Sequence, residues 1–283
     1  MAVRIITDSA SDISQAEAKE WGITVIPMNI RFGEEQYKDG IDIDHNLFYG
    51  KLLETDELPK TSQIPPYDYE KVYEEAVEAG DEVLCITVTS ELSGCYQSAM
   101  LAADEFDGKV KVIDSRQAAQ GQYVLAKYAS ICSKEGGSLQ EVYDKVMAKM
   151  DKVRVIGMLD TLEYLKLGGR ISATAAAIGS VFSIKPVVTT KDGEIAVYGK
   201  ARGSKKANNL LRQFVSESNG IDFDMPVCVA CSGLTDEILT KYMEDSHDLY
   251  EGHDAQVTRT WLGSAIGTYA GPGAIVLGFF AAE

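Results

Sequence analysis

The hydrophobic pattern changes period repeatedly over the first 115 residues. Val3, Ile5 and Ile6 fall in a short β-branched run, 3–7, that predicts a strand. Ser14 followed by Glu17 reads as a capping box; it opens a helix that ends at Gly22, after Trp21. Residues 23–26 predict the next strand. Leu47, Phe48, Leu52 and Leu53 behind Asp44 predict a second helix, and Tyr69, Val72, Tyr73 and Ala76 behind Pro65-Pro66 a third. A strand over 83–88, a helix after Ser93 and a strand over 110–113 continue the alternation. Strands separated by helices imply right-handed crossovers and a mostly parallel sheet.

The second half reads differently. Helices over 118–133 and 139–150 lead to a strand at 153–158, and helical pieces surround Gly168-Gly169. Strands over 184–190 and 194–198 then flank Lys191-Asp192-Gly193, and Asp-Gly between apolar runs predicts a hairpin. The expected fold class is therefore α/β with two domains: an N-terminal parallel sheet flanked by helices, residues 1–160, and a C-terminal mixed or antiparallel α/β domain, residues 161–283.

Composition narrows the function. The chain has 283 residues, 45% hydrophobic, with 43 acidic and 27 basic side chains and a formal charge of −16. So negative a balance argues against nucleic acid, whose binding depends on clustered Lys and Arg. The longest apolar stretch, 274–282, is about half of a spanning helix, and 1–6 is too short an apolar run for a secretory signal. A cytoplasmic protein is expected. Five scattered cysteines form no disulfide framework. Cys228 and Cys231 have CxxC spacing, but on a strand their thiols face opposite sides. The three histidines lack paired spacing, which gives zinc little support, and neither a P-loop nor a GxGxxG motif is present.

Three hydroxyl-rich segments sit where strands end: 7–12, 60–63 and 87–96. In an open parallel sheet they would converge at the carboxyl edge, where ligands bind. Ser93 and Gly94, opening a helix, would offer a hydroxyl and close backbone approach to an anion. The plainer reading makes these residues caps and turn formers. Ser93 as a nucleophile lacks both a GxSxG elbow and an evident histidine base. Between residues 195 and 216, Lys200, Arg202, Lys205, Lys206 and Arg212 occur with no acid, either as a solvated face or as a site for an anion or acidic partner. Arg202 and Arg170 each precede an expected helix start. The small residues of 173–178, followed by Phe182 and Ile184, and the Gly-rich loop read over 267–277 would allow close packing or an elongated apolar ligand between the domains.

Taken in order, these segments resemble the DegV family of bacterial fatty-acid-binding proteins. The resemblance rests on Thr7-Asp8-Ser9 with Ser11-Asp12, Ile26-Pro27, Tyr37-Lys38-Asp39-Gly40, Thr61-Ser62-Gln63, Leu92-Ser93-Gly94 with Tyr96-Gln97-Ser98-Ala99, and Asp114-Ser115. It continues through 162–171 with Gly169-Arg170, Lys185-Pro186, Ala201-Arg202-Gly203 and Gly271-Pro272-Gly273-Ala274. It implies a carrier, not an enzyme, with no cofactor. Such a carrier holds a long-chain fatty acid between its domains and presents the carboxylate to a separate kinase related to dihydroxyacetone kinases, for phospholipid synthesis. It also leaves room for a transient contact with a membrane surface. By the same resemblance Thr61, Ser93, Gly94 and Tyr269 bind the carboxylate, and Arg170 and Arg202 mark the ligand mouth or the kinase dock. The family usually has His where this chain has Tyr269, and commonly Thr where it has Cys95. The tyrosine hydroxyl would donate from farther out, implying a weaker head-group contact or a different acid.

Overall fold

Short β-branched runs become the central strands of a four-stranded parallel sheet, ordered β2-β1-β6-β7: β1 (Val3–Asp8), β2 (Ile23–Ile26), β6 (Glu82–Thr87) and β7 (Val110–Asp114). The computed structural model describes residues 2–55, 57–172 and 184–283. The small-residue segment 173–178, Phe182 and the helix expected after Ser172 lie outside them. Alternate residues of the parallel strands serve two cores. Ile6, Val83 and Cys85 pack under α2 (His45–Glu54), α3 (Pro66–Glu78) and α4 (Cys95–Ala103). Ile5, Leu84 and Ile86 pack on α5 (Gln120–Lys134) and α6 (Leu139–Met150). Ser14 and Glu17 form the expected capping box on α1 (Gln15–Trp21), which Gly22 ends at φ 70°.

The stretch 29–62 departs from the simple alternation. It builds a small antiparallel sheet, β4-β3-β5, from β3 (Asn29–Phe32), β4 (Glu35–Lys38) and β5 (Lys60–Ser62). Thr61 is thus a strand residue, not a loop residue. The polar, largely exposed β4 carries no apolar alternation that would reveal the sheet.

The third sheet has six strands in the order β10-β9-β8-β13-β11-β12, with only the β11–β12 pairing parallel. Its members are β8 (Val153–Met158), β9 (Ile184–Lys191), β10 (Glu194–Arg202), β11 (Val227–Cys231), β12 (Val257–Trp261) and β13 (Ile275–Phe280). The mixed sheet therefore takes a strand, β8, from before the division expected near residue 160. At the β9–β10 hairpin Lys191 pairs with Glu194 across Asp192 (φ 53°) and Gly193 (φ 87°), the two positive-φ positions of a type I′ turn. Cys228 and Cys231 join cores on opposite faces of β11, and all five cysteines are buried and free. The helices described in this half are α7 (Glu163–Leu167), α8 (Ser204–Glu217), α9 (Glu237–Asp245), α10 (His247–Tyr250) and α11 (Ser264–Ala270). The loop expected from 267 is corrected by α11. Its Gly267 lies where a Cβ would meet the Tyr49 hydroxyl at 2.6 Å, so this glycine serves close helix packing.

α5 joins the halves. Its Tyr123, Val124 and Leu125 share one core with Ile5 of the parallel sheet and with Val153, Cys228 and Phe280 of the mixed sheet.

Candidate functional site

The carboxyl ends of the parallel strands face one side of the mixed sheet across a cavity of about 840 Å³, counting its open mouth. The loops after β1, β6 and β7 contribute Ala10, then Val88, Leu92 and Ser93, then Ala118 and Ala119. The mixed sheet contributes Val155 and Gly157 of β8, which alternate along the strand to face the space, with Val188, Thr189 and Thr190 of β9, Ile195 of β10 and Val276 of β13. Gly157 is one residue that sequence reasoning passed over. A Cβ there would stand 3.2 Å from Val276 Cγ2, and a glycine inside an apolar strand is itself a signal of close approach.

Among the described lining residues, hydroxyls and a cation come together in one cluster, while Thr189 and Thr190 of β9 add two further hydroxyls. Thr61 Oγ1 and the Tyr269 hydroxyl share a 2.5 Å hydrogen bond. The Arg170 guanidinium carbon sits 4.5 Å from the Tyr269 ring centroid, a cation–π arrangement. Arg170 is fixed there by donating from Nε to Leu92 O (3.3 Å) and from Nη1 to Gly168 O (2.8 Å). Gly168 makes the stack possible, since a Cβ at that position would meet the Tyr269 ring at 2.4 Å. Ser93 completes the cluster. Its Oγ accepts from Cys95 N–H (3.4 Å) and lies 3.2 Å from Cys95 Sγ, so it caps α4 as well as lining the cavity.

Thr61, Ser93, Arg170 and Tyr269 therefore meet at one cavity. Gly94 and Arg202 are not among the described lining residues. Gly94 is the N-cap of α4, and the space a Cβ would need is filled by Gln63 Oε1, 1.9 Å from the Cβ position. Arg202 ends β10, exposed, next to the exposed Lys205 and Lys206 at the start of α8. Arg212, from the same basic window, is in an ion pair with Asp248.

Ser93 finds no base at this site: no His, Asp, Glu or Lys is among the described lining residues. Burial pushes the Cys95 thiol up to about 11, so it too remains protonated at neutral pH. His45 is stacked on Trp261 and His253 on Phe223.

The first hydroxyl-rich segment behaves mainly as structure. Asp8 accepts from Ala10 N–H (3.1 Å), Val88 N–H (2.8 Å) and Gln122 Nε2 (3.0 Å). Asp12 accepts from Gly263 N–H (2.8 Å), and Asp39 from Ser264 and Ala265 N–H (2.9 and 3.1 Å). All three carboxyls are buried. Desolvation raises Asp8 to about 6 and also raises Asp12 and Asp39, partly offset by these donors. Their chemistry is positional. Asp12 and Asp39 hold the start of the segment that carries Tyr269 into the site. Sequence reasoning placed Asp8, Asp12 and Asp39 in motifs without seeing this role, because their partners lie up to 251 residues away.

The fold is that of an α/β protein with an apolar, hydroxyl-tipped cavity between a parallel and a mixed sheet. The family model described as "Uncharacterised protein, DegV family" matches residues 2–282, and the chain belongs to the DegV family. A DegV domain-containing protein of Caldanaerobacter subterraneus subsp. tengcongensis is 36% identical over 273 residues, 96% of each chain. Among solved structures, a fatty-acid-binding DegV family protein from Thermus thermophilus aligns over all of both chains, with a TM-score of 0.88 and 31% identity. A stearic-acid-binding protein from Eubacterium ventriosum aligns over 98% of this chain and 97% of that one, with a TM-score of 0.85 and 30% identity.

Proposed function

We propose that this protein is a carrier that binds a long-chain fatty acid and presents its carboxylate to a separate kinase related to dihydroxyacetone kinases. The observation that carries the reading is the make-up of the cavity: mostly apolar, with Thr61, Ser93, Tyr269 and Arg170 forming a cluster that joins hydroxyls to a cation, and Thr189 and Thr190 of β9 as the other polar lining residues described. An acyl tail and an acid head group match that division. The fatty-acid-binding Thermus and Eubacterium proteins share the fold over essentially the whole chain.

Energetics assign the tail and head different tasks. Burying roughly 14 methylenes at about 0.8 kcal/mol each stabilises the complex by on the order of 11 kcal/mol before ordering costs. The tail thus dominates affinity. The hydroxyls and Arg170 keep a desolvated carboxylate from being left without partners, which would cost several kcal/mol. In this reading Tyr269 stands where the family usually has His: of the hydrogen-bonded Thr61 and Tyr269 hydroxyls, the one that accepts within the pair keeps its proton to donate to the carboxylate. Phosphoryl transfer needs ATP, metal and a clamp for the transferring group, which in this reading the kinase supplies. Arg202, Lys205 and Lys206 form an exposed basic face for it, on a chain otherwise strongly acidic.

Denaturing mass spectrometry of protein made in lipid-replete cells tests the carrier reading: a stoichiometric long-chain acid is expected, and its absence would refute it. The kinase half is tested separately by Arg202→Glu, expected to lower kinase-dependent acyl-phosphate formation while the acid stays bound. Unaltered transfer would remove Arg202 from the dock.

A further inference from the structure

The cavity has a second boundary away from the Thr61–Tyr269 end. Along β8 its lining runs from Leu159, just beyond the strand, back to Val155, about 13 Å at the rise of a strand. Leu165 and Arg170, later in the chain, line it as well. At the Val155 end of β8, Val155, Thr189 and Thr190 line the cavity and also a separate surface pocket of about 1000 Å³, counting its open mouth. These three residues therefore form a boundary common to the two spaces.

Thr190 Oγ1 closes that wall by donating to Gln117 Oε1 at 2.6 Å. Gln117 belongs to the loop between β7 and α5, which serves both spaces. Ala118 and Ala119 line the cavity, and Ser115, Arg116 and Gln117 line the pocket. This loop is strained: Arg116 has φ 53°, and Ala119, at φ 51° and ψ −132°, occupies a region that favours glycine. Backbone strain of this kind clusters at ligand clamps and switch regions.

The pocket beyond is cationic at its rim. It is lined by Arg116, Arg154 and Lys191 against Asp151 and Asp192. None of the three cations is in a salt bridge among the described residues, and Arg154 uses Nη1 on the backbone oxygens of Asp151 (2.7 Å) and Val153 (2.9 Å). A plain methyl terminus has no use for such a rim, whereas a second carboxylate does.

Building on the fatty-acid reading, we propose that the Thr190–Gln117 hydrogen bond is a latch over a second mouth of the acyl cavity, and that long-chain α,ω-dicarboxylic acids bind through it with their far carboxylate among Arg116, Arg154 and Lys191. A carboxylate trapped on the apolar side of the latch would be desolvated without a partner, so the latch decides whether a diacid is accepted or refused.

Binding of hexadecanoate, hexadecanedioate and docosanedioate to the full chain tests this. Wild type should bind at least one diacid within about tenfold of hexadecanoate, where a diacid held inside the apolar wall would lose about a hundredfold or more. The double variant Arg116→Gln/Lys191→Gln should weaken the diacid about tenfold, a loss of about 1.4 kcal/mol, and leave hexadecanoate unchanged. Thr190→Val, which keeps the shape and removes the latch, should speed diacid association. Diacids bound a hundredfold more weakly than hexadecanoate, or bound equally by the charge-neutralised variant, would overturn the latch alone. Failure of hexadecanoate itself to bind would overturn the carrier reading and the latch with it.

Discussion

The two sheets meet the same cavity in different ways. The parallel sheet presents its edge, so its contribution comes from loops: Ala10, Val88, Leu92, Ser93, Ala118 and Ala119. The mixed sheet presents a face, so its contribution alternates along strands, as in Val155 and Gly157. Buried charge follows the same division. Asp8, Asp12 and Asp39 are all in the parallel-sheet half, and no buried Asp, Glu, Lys or Arg is found among the described residues of the other. Loop ends expose backbone N–H groups that a carboxylate can satisfy, whereas the face of a sheet has already spent them on its neighbours. The edge therefore supplies the buried carboxyls that anchor its loops, and the face supplies apolar area together with the Thr189 and Thr190 hydroxyls.

Removing an anchor should break this arrangement most severely. Asp39→Ala leaves Ser264 and Ala265 N–H without their acceptor, and at 1–3 kcal/mol per buried orphan the loss of stability should be about 4 kcal/mol. Urea unfolding measures it, and a loss below about 1 kcal/mol would show that water or a neighbour replaces the carboxylate.

A pH series sharpens the comparison next. The Asp8 carboxyl moves from an ordinary 3.8 to about 6 on folding, so the folded chain holds this proton more tightly than the unfolded one. The resulting stability is complete below about pH 4 and disappears as pH rises through about 6, a change on the order of 3 kcal/mol. Relative to Asp8→Asn, wild type should lose that amount across the window. A constant difference between the two proteins from pH 4 to 7 would place the Asp8 pKa near its ordinary value.

Smaller effects are expected at the cavity's polar end. Thr61→Ala and Ser93→Ala should each weaken acid binding by about 2 kcal/mol, the cost of leaving a buried acceptor unpaired, and Ser93→Ala should also lower stability by about 1 kcal/mol because its hydroxyl accepts from Cys95 N–H at the start of α4. Equal affinities across wild type and both variants, measured by competition with a fluorescent fatty acid, would move the carboxylate elsewhere. The smallest effect belongs to the surface. Arg259→Ala, which breaks an exposed pair with Asp254, should change stability by less than about 1 kcal/mol.

The sequence alone determined whatever depends on neighbours in the chain. The period of apolar residues drew β1, β2, β6 and β7, the Ser14–Glu17 pair drew the start of α1, and Asp192-Gly193 drew the hairpin, because each is set by local torsions and local hydrogen bonds. Ordered motifs also drew the family. The polar, exposed β4 hid the small sheet that makes Thr61 a strand residue, since an edge strand buries little and so leaves little pattern. Tertiary structure alone decided that Tyr269 meets Thr61 across 208 residues, that Gly94 yields its space to Gln63, and that Asp12 and Asp39 grip the start of α11. Such contacts depend on the docking of one sheet's edge against another's face, a geometry to which no run of adjacent residues is sensitive.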